Sequence, residues 1–183
     1  MTPTENLKNE HNDIKGLLNI MSKIAGNIKS NDVFYTSDVK DIIDFLKYFI
    51  EKSHHGKEEV FYPALEYAGI PKEAESLSVI LYEHALARNY LKDIDSCVVN
   101  CKIGNSFSGD MLAESMTNYV QLIKNHMQKE EEIIFPFAEQ ELSHDKQVEL
   151  AKEFERIEEN IVHHDFHDHY HKLLEKLQSK YPD

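Results

Sequence analysis

The sequence is poor in residues that interrupt helices and in residues that form disulfides. Its 183 residues contain no tryptophan, six glycines, five prolines and two cysteines. So few turn-forming residues, beside many Leu, Ile, Lys and Glu, are typical of a helical protein rather than a turn-rich sheet protein. Cys97 and Cys101 lie four residues apart on one helix face. We expect two ordinary thiols there, because a single pair is weak evidence for redox chemistry or a metal site.

Clustered basic residues and long apolar runs are also missing from the sequence. The formal net charge of −13 argues against a nucleic-acid partner, because a phosphate-binding surface needs clustered Lys and Arg. No apolar run approaches the roughly 18 residues that cross a membrane, and the N-terminal stretch contains no apolar signal segment. We therefore expect no nucleic-acid or membrane partner, and a cytoplasmic location.

Apolar residues recur at helical spacing through five segments of the chain. These segments are 4–29, 37–67, 72–99, 110–140 and 143–181. Gly69 and Pro71 end the second segment, as a glycine followed by a proline commonly ends a helix. We predict an all-α protein with a single domain, 1–183. It comprises an up-down four-helix bundle over about 4–140 and an additional C-terminal helix over about 144–181.

Two of these segments carry the same histidine–glutamate spacing. His54 precedes Glu58 by four residues in the second segment, and His126 precedes Glu130 by four residues in the fourth. Residues four apart lie one turn apart on one helix face, where both side chains can hold the same metal ion or neighbouring ions. A single such pair is more often a solvated ion pair on a charged helix. The direction that each pair faces therefore decides between the two interpretations.

A helical wheel places both pairs beside apolar residues. At about 100° per residue, Ile50 and Phe61 fall close to His54, and Ile123 shares a face with His126. The same wheel turns His55 and Glu59 toward water or toward a layer of residues around the ligands. Two carboxylates and two imidazoles in an apolar core would be costly without a compensating cation. The wheel therefore favours a metal site.

The first and third segments each add one histidine on an apolar face. His11 lies in line with Ile14, and His84 lies in line with Ile80. A lone histidine on such a face is more often a hydrogen-bonded core residue than a ligand. Four of them, one on each bundle helix, can converge at one level. We predict six metal ligands: His11, His54, Glu58, His84, His126 and Glu130.

This set of donors predicts two ions that share carboxylates. Four imidazoles and two carboxylates exceed a tetrahedral zinc site, and their combination favours iron. Zinc and manganese remain alternatives. The Glu-x-x-His motif of ferritin-like bundles occurs once, at Glu51 and His54, but its second copy would need a carboxylate at Ile123. The ferritin-like scaffold is therefore disfavoured.

These motifs resemble those of the hemerythrin-like (HHE cation-binding) proteins. The matching elements are His11, His54-His55 with Glu58-Glu59, Glu83-His84, and the stretch from His126 to Pro136. The resemblance spans about 7–140 and implies a four-helix bundle with an oxo- or hydroxo-bridged centre of two iron ions, in which Glu58 and Glu130 are the bridges. It also implies chemistry with dioxygen, nitric oxide or cellular iron.

The sequence departs from the family pattern in two places. The interval from His54 to Pro63 is one residue shorter than that from His126 to Pro136, so His55 and Glu59 remain an alternative ligand pair. Oxygen-carrying hemerythrins also have a further histidine one turn after the position of His84.

In this chain that position is Arg88, which cannot bind iron. A fifth ligand is then left to water, to a tyrosine such as Tyr119, or to the C-terminal segment. An open position of this kind favours small-molecule chemistry or redox turnover over simple oxygen storage.

The C-terminal segment contains a histidine-rich stretch, 163–171. We expect a solvated helix face with an irregularity near His163, and an exposed pair formed by His171 and Glu175. The alternative is a weaker second metal site, in which His163 is the residue best placed to reach the main centre.

Together these patterns predict a non-haem di-iron protein that binds or senses dioxygen or nitric oxide, or that handles redox stress. The alternative is a di-iron enzyme that turns over peroxide or nitric oxide, or an iron donor for iron–sulfur cluster repair. The expected partners are a small gaseous or peroxide ligand and a redox partner that the sequence does not identify.

Overall fold

The computed structural model describes residues 1–70, 77–102, 107–161 and 166–182, and these residues form helices without any strand. The α-helices are α1 (Pro3–Lys29), α2 (Thr36–Tyr48), α3 (His55–Tyr67), α4 (Leu77–Lys102), α5 (Phe107–Lys129), α6 (Phe135–Glu141), α7 (His144–Ile161) and α8 (Phe166–Lys180). Two π-helical segments join consecutive α-helices: Phe49–His54 joins α2 to α3, and Glu130–Ile134 joins α5 to α6. The all-α prediction is confirmed.

Local sequence explains where the first bundle helix begins and where α3 ends. Thr2 caps α1 and exchanges hydrogen bonds with Glu5, which satisfies backbone N–H groups that the first turn leaves free. After α3, Gly69 has a φ of 88°, a left-handed conformation that glycine adopts without strain. The N–H of Gly69 bonds to the carbonyl of Glu66, and that of Ile70 to the carbonyl of Leu65. This pattern closes a helix C-terminus, and Gly69 ends α3 as predicted; Pro71 lies outside the described residues.

The bundle is built from α1, the continuous α2–α3 rod, α4, and the continuous α5–α6 rod. α5 packs along both α4 and α1, and α2 packs along α4. Two apolar clusters fill the interior, a larger one that includes Ile14, Ile50, Ala87 and Ile123, and a smaller one that includes Leu7, Phe61, Ile80 and Ile134.

Each bundle helix passes from one apolar cluster to the other through a short polar stretch. On α1, His11 lies between Leu7 of the smaller cluster and Ile14 of the larger one. On α4, His84 lies in the same way between Ile80 and Ala87. The candidate ligands therefore meet at one level, enclosed by hydrocarbon above and below.

The C-terminal part of the chain lies against the bundle through α7 and α8, on either side of residues 162–165. α7 packs on α3 and α1, and α8 packs on α1 and α2. Tyr170 on α8 donates to the carbonyl of Asp13 at 2.6 Å, and Lys180 contacts the buried carboxylate of Asp38 at 2.9 Å. The predicted irregularity near His163 lies outside the described residues, whereas His171 and Glu175 are exposed as expected.

The described helices include none that combines the length and apolar character of a bilayer span.

Candidate metal centre

The six predicted ligands converge inside the bundle. His11 comes from α1, His84 from α4, and the two histidine–glutamate pairs come from the two rods that contain the π segments. All six residues are almost completely buried, with exposed fractions between 0 and 2%. The structure thus brings the predicted residues together at one place.

Their donor atoms fall into two groups that share one carboxylate. The three-histidine group consists of His55, Glu58, His84 and His126, and the two-carboxylate group consists of His11, His54, Glu58 and Glu130. Within each group the donor atoms lie within 4.8 Å of one another. Glu58 is a member of both groups, as a carboxylate that bridges two ions would be.

The two oxygens of each central glutamate face different groups. Glu58 Oε1 lies 3.0 Å from His54 Nε2, and Glu58 Oε2 lies 3.1 Å from His84 Nε2. Glu130 repeats this arrangement, with Oε2 at 3.3 Å from His11 Nε2 and Oε1 at 3.5 Å from His126 Nε2. Each carboxylate therefore spans the space between an imidazole of one group and an imidazole of the other.

His55 lies in the centre itself, whereas the helical wheel turned it toward water or toward a layer of residues around the ligands. It is 1% exposed, and its ring stacks on that of His84 with 3.7 Å between centroids. The helical wheel failed because it assumes 100° per residue, whereas His54 ends a π segment whose turn is wider. The wider turn brings His54 and His55 to the same side, while Glu59 stays exposed. A sequence signal existed, since His55 precedes Glu58 by three residues, which is also a same-face spacing.

Arg88 contacts a carboxylate that lies beside His55. Its guanidinium lies 3.1 Å from Glu51 Oε2, and Glu51 Oε1 lies 3.5 Å from His55 Nδ1. The site thus holds five buried imidazoles, although Arg88 stands where the family pattern has its additional histidine. The inference of an unusually open centre, which depended on only four histidines, loses its basis. Tyr119 is buried beside the larger apolar cluster, and its assignment as a fifth ligand stays a prediction.

Three of the five imidazoles, those of His11, His54 and His126, are hydrogen-bonded from behind by a carboxylate, and His55 lies near a fourth carboxylate without a hydrogen bond to it. The pairs are His11 with Glu131 (2.8 Å), His54 with Glu10 (2.7 Å), His55 with Glu51 (3.5 Å) and His126 with Glu83 (3.0 Å), measured from Nδ1 in every case. A carboxylate behind a histidine fixes the ring and its tautomer, and makes the other nitrogen a better metal ligand. Each carboxylate is in turn paired with a cation: Lys15, Lys57, Arg88 and Lys129 respectively.

Several central atoms are buried without a hydrogen-bond partner. They are Nε2 of His11, Nε2 of His54, both carboxylate oxygens of Glu58 and Oε2 of Glu130. A buried polar atom without a partner costs free energy, and native proteins rarely leave several together. All of these atoms are good ligands for a cation, and all of them point at the same small region. The residues present therefore fit a bound metal ion.

The two adjacent histidines have opposite electrostatic environments. Burial alone would lower the pKa of His54, but the negative charges of Glu58 and Glu10 raise it to about 10. Burial lowers the pKa of His55 to about 4, and the nearby carboxylate of Glu51 does not offset it. Burial would raise the pKa of Glu58, yet His54 holds it well below its usual range. Without metal, a protonated His54 compensates the buried carboxylate; a bound ion would replace that proton.

Aromatic side chains close the centre on the side of the smaller cluster. Phe135 stacks on His11 with 5.5 Å between ring centroids, and Phe61 packs on Phe135. The hydroxyl of Tyr62 donates to Glu130 Oε1. Burial beside Glu130 and Glu58 raises the pKa of Tyr62 well above its usual value, so this hydroxyl keeps its proton. Nothing in the sequence spacing of Tyr62 reveals its hydrogen bond to a glutamate on another helix.

Comparison with known proteins connects this geometry to a family. The uncharacterized protein Rv1995 of Mycobacterium tuberculosis and the uncharacterized protein Mb2018 of Mycobacterium bovis are each 24% identical over 156 residues, or 85% of this chain. The chain spans about 60% of the length of these relatives. No solved structure matches the chain significantly. The sequence model of the hemerythrin HHE cation-binding domain matches residues 2–138, which contain all the residues of both ligand groups. The chain therefore belongs to the hemerythrin HHE cation-binding domain family.

Proposed function

We propose that this protein holds two iron ions, one in each ligand group, and that the pair binds or senses dioxygen or nitric oxide or takes part in the handling of redox stress. The observation that carries the proposal is the placement of Glu58 and Glu130. Each carboxylate presents one oxygen to an imidazole of each group. A single ion would not need two such bridges.

The chemistry of the donors favours iron. Imidazole together with carboxylate suits iron, whereas the soft ions that prefer thiolate find no cysteine in either group. Five imidazoles and the two carboxylates of Glu58 and Glu130 also supply fewer donors than two six-coordinate ions need. Bound iron would supply the redox chemistry and the vacant position for a small ligand.

The residues of this chain would orient the ions and control access to them. The carboxylates behind His11, His54 and His126 hold these rings in place by hydrogen bonds. Phe61 and Phe135 exclude water from one side. The protonated hydroxyl of Tyr62 donates a hydrogen bond to Glu130 and so fixes the rotation of this carboxylate.

The test is anaerobic reconstitution with ferrous iron, followed by a count of metal per chain. Two ions per chain are expected, and they should be lost together in Glu58→Gln. Dioxygen or nitric oxide is then added in separate experiments while the optical spectrum is recorded. A ligand-dependent spectrum that reverses when the gas is removed supports binding or sensing. Fewer than two ions per chain in the unaltered protein contradicts the proposal.

The same experiment distinguishes the alternative functions. Rapid, irreversible oxidation with consumption of added peroxide or nitric oxide would indicate an enzyme rather than a binding protein. Transfer of iron to an apo iron–sulfur protein, measured by the appearance of cluster absorption, would indicate an iron donor. The buried donors and their fixed rings favour retention of the ions, so we place gas binding or redox sensing first.

A further inference from the structure

Lys57 is a fully buried lysine next to the bridging residue Glu58. Its side chain is 0% exposed, and its ammonium contacts three acceptors: Asn6 Oδ1 at 2.8 Å, Glu10 and Glu158. An ammonium has three N–H donors, so all three are satisfied. Because a buried charge is costly unless it is paired and hydrogen-bonded, this arrangement is a built feature of the interior.

The contacts of Lys57 connect the metal centre to α7. Glu10 accepts a hydrogen bond from Lys57 with Oε1 and one from His54 Nδ1 with Oε2. Glu158 lies on α7, which also places the ring of Phe154 at 5.8 Å from the Lys57 ammonium. The residues that match the family model end at 138, so α7 lies outside them. A helix beyond the matched domain thus reaches His54 through two intervening side chains.

This connection differs from the other three carboxylate–cation pairs around the centre. The side chains of Lys15, Arg88 and Lys129 are 42 to 46% exposed. If one of these cations is removed, water can hydrogen-bond to the carboxylate in its place. Water has no such access to Lys57. Glu10 therefore has a fully buried cation as its partner, and the carboxylate of Glu158, 37% exposed, is the contact of Lys57 on the side of α7.

We propose that Glu158 and Lys57 are positioning residues of the two-carboxylate group, and that α7 is in this way a working part of the metal centre. Glu158 holds Lys57, Lys57 holds Glu10, and Glu10 aims Nε2 of His54 at the ion. His54 is the candidate ligand at the end of this chain of contacts, and it is a member of the two-carboxylate group alone. The inference rests on the proposed function, because it presupposes two ions per chain.

The test measures the affinity of each ion separately, in the protein of residues 1–183. Co(II) alone serves as the probe, and its d–d absorption is followed during anaerobic titration in competition with a chelator. Glu158→Gln should weaken one of the two ions by about tenfold, the lower end of the effect of losing a partner behind a ligand, and leave the other unchanged. Glu155→Gln is the matched control, because Glu155 is an exposed carboxylate on the same helix; it should bind both ions as the unaltered protein does.

Two further variants separate positioning from general destabilisation. In a Glu10→Gln background, Glu158→Gln should add no further loss, because the contact through which it acts is already gone. Lys57→Met should weaken the same ion as Glu158→Gln, and its fold is checked by circular dichroism.

The possible outcomes have different consequences. If the unaltered protein binds two ions and Glu158→Gln matches Glu155→Gln, the inference is wrong and the proposed function stands. Equal weakening of both ions, or additive losses in the double variant, also overturns the inference. If the unaltered protein binds fewer than two ions, the proposed function fails and the inference fails with it.

Discussion

The two rods that carry the histidine–glutamate pairs look alike in sequence but contribute different atoms to the centre. In the first rod the residue after His54 is His55, which joins the three-histidine group; in the second rod the residue after His126 is Met127, which packs in the larger apolar cluster. For the residue after the glutamate, the second rod is the one that contributes to the centre. Glu59 is exposed, whereas Glu131 contacts His11 at 2.8 Å. One rod thus provides an additional imidazole, and the other provides a carboxylate that supports an imidazole.

The position of the π segment accounts for this difference. In the first rod the wide turn covers Phe49–His54 and ends at the histidines, whereas in the second rod it begins at the glutamate and covers Glu130–Ile134. A wide turn lets one more residue face a given direction. In the first rod the wide turn precedes the glutamate and brings both His54 and His55 inward. In the second rod the wide turn begins at the glutamate and brings Glu131 toward α1. Two similar motifs therefore make a centre with unequal halves.

The largest effect is expected from the carboxylate that both groups share. Glu58→Gln should abolish binding of both ions, because each group loses an anionic ligand and the bridge between them. Glu130→Gln should retain an ion in the three-histidine group, whose members do not include Glu130. Iron is counted per chain after desalting. Equal losses in the two variants would contradict the assignment of Glu58 as the member common to both groups.

The next effect concerns the histidine that the helical wheel turned toward water or toward a layer of residues around the ligands. His55→Met makes the first rod resemble the second at this position, with a side chain of the kind that Met127 buries. We expect the ion count to fall from two to about one, since the three-histidine group loses an imidazole. Metal analysis together with a thermal melt of the metal-free protein measures this. If His55→Met still binds two ions, His55 supports the site without being a ligand.

A pH dependence should distinguish the adjacent histidines His54 and His55. A metal ion must displace the proton from His54, whose pKa is raised to about 10, but none from His55, whose pKa is lowered to about 4. Apparent metal affinity should therefore rise with pH from neutrality to about pH 10, by about tenfold per unit for each displaced proton. Chelator competition at several pH values measures this slope. A flat profile would show that His54 is already neutral in the metal-free protein.

The smallest expected effect is a difference in metal affinity between variants of Glu131 and Glu59, the residues that follow the two paired glutamates. Glu131→Gln removes the carboxylate behind His11 and should weaken metal binding by about tenfold. Glu59→Gln changes an exposed side chain and should leave both affinities as they are. Isothermal titration with Co(II) compares the two variants. Equal behaviour would indicate that the carboxylate behind His11 has no influence on the ligand.

Much of the ligand pattern was predictable because helical spacing is a local property. His54 with Glu58 and His126 with Glu130 lie four apart, and a separation of four places two side chains on one face whatever surrounds the helix. His11 and His84 were found in the same way, since each continues the apolar face of its own helix. The helix ends marked by Thr2 and Gly69 followed from capping chemistry and from the backbone freedom of glycine.

The supporting residues were hidden from the sequence because they act between helices. Glu10 precedes His11 but contacts His54, and Glu83 precedes His84 but contacts His126. No spacing along the chain indicates which partner a side chain meets on another helix. Tyr62 on Glu130 and Glu158 on Lys57 join residues 68 and 101 positions apart, so only the packed bundle reveals them.

By itself, then, the sequence determined that the chain is helical, and it determined which faces of four helices carry imidazole and carboxylate. These properties depend on residue type and on the fixed geometry of an α-turn. The tertiary structure alone decided that His55 turns inward and that Glu158, on a helix beyond the residues matched by the family model, contacts Lys57. The reason is physical: a π segment changes the angle per residue on which any wheel relies, and contacts between distant helices depend on packing that no local rule encodes.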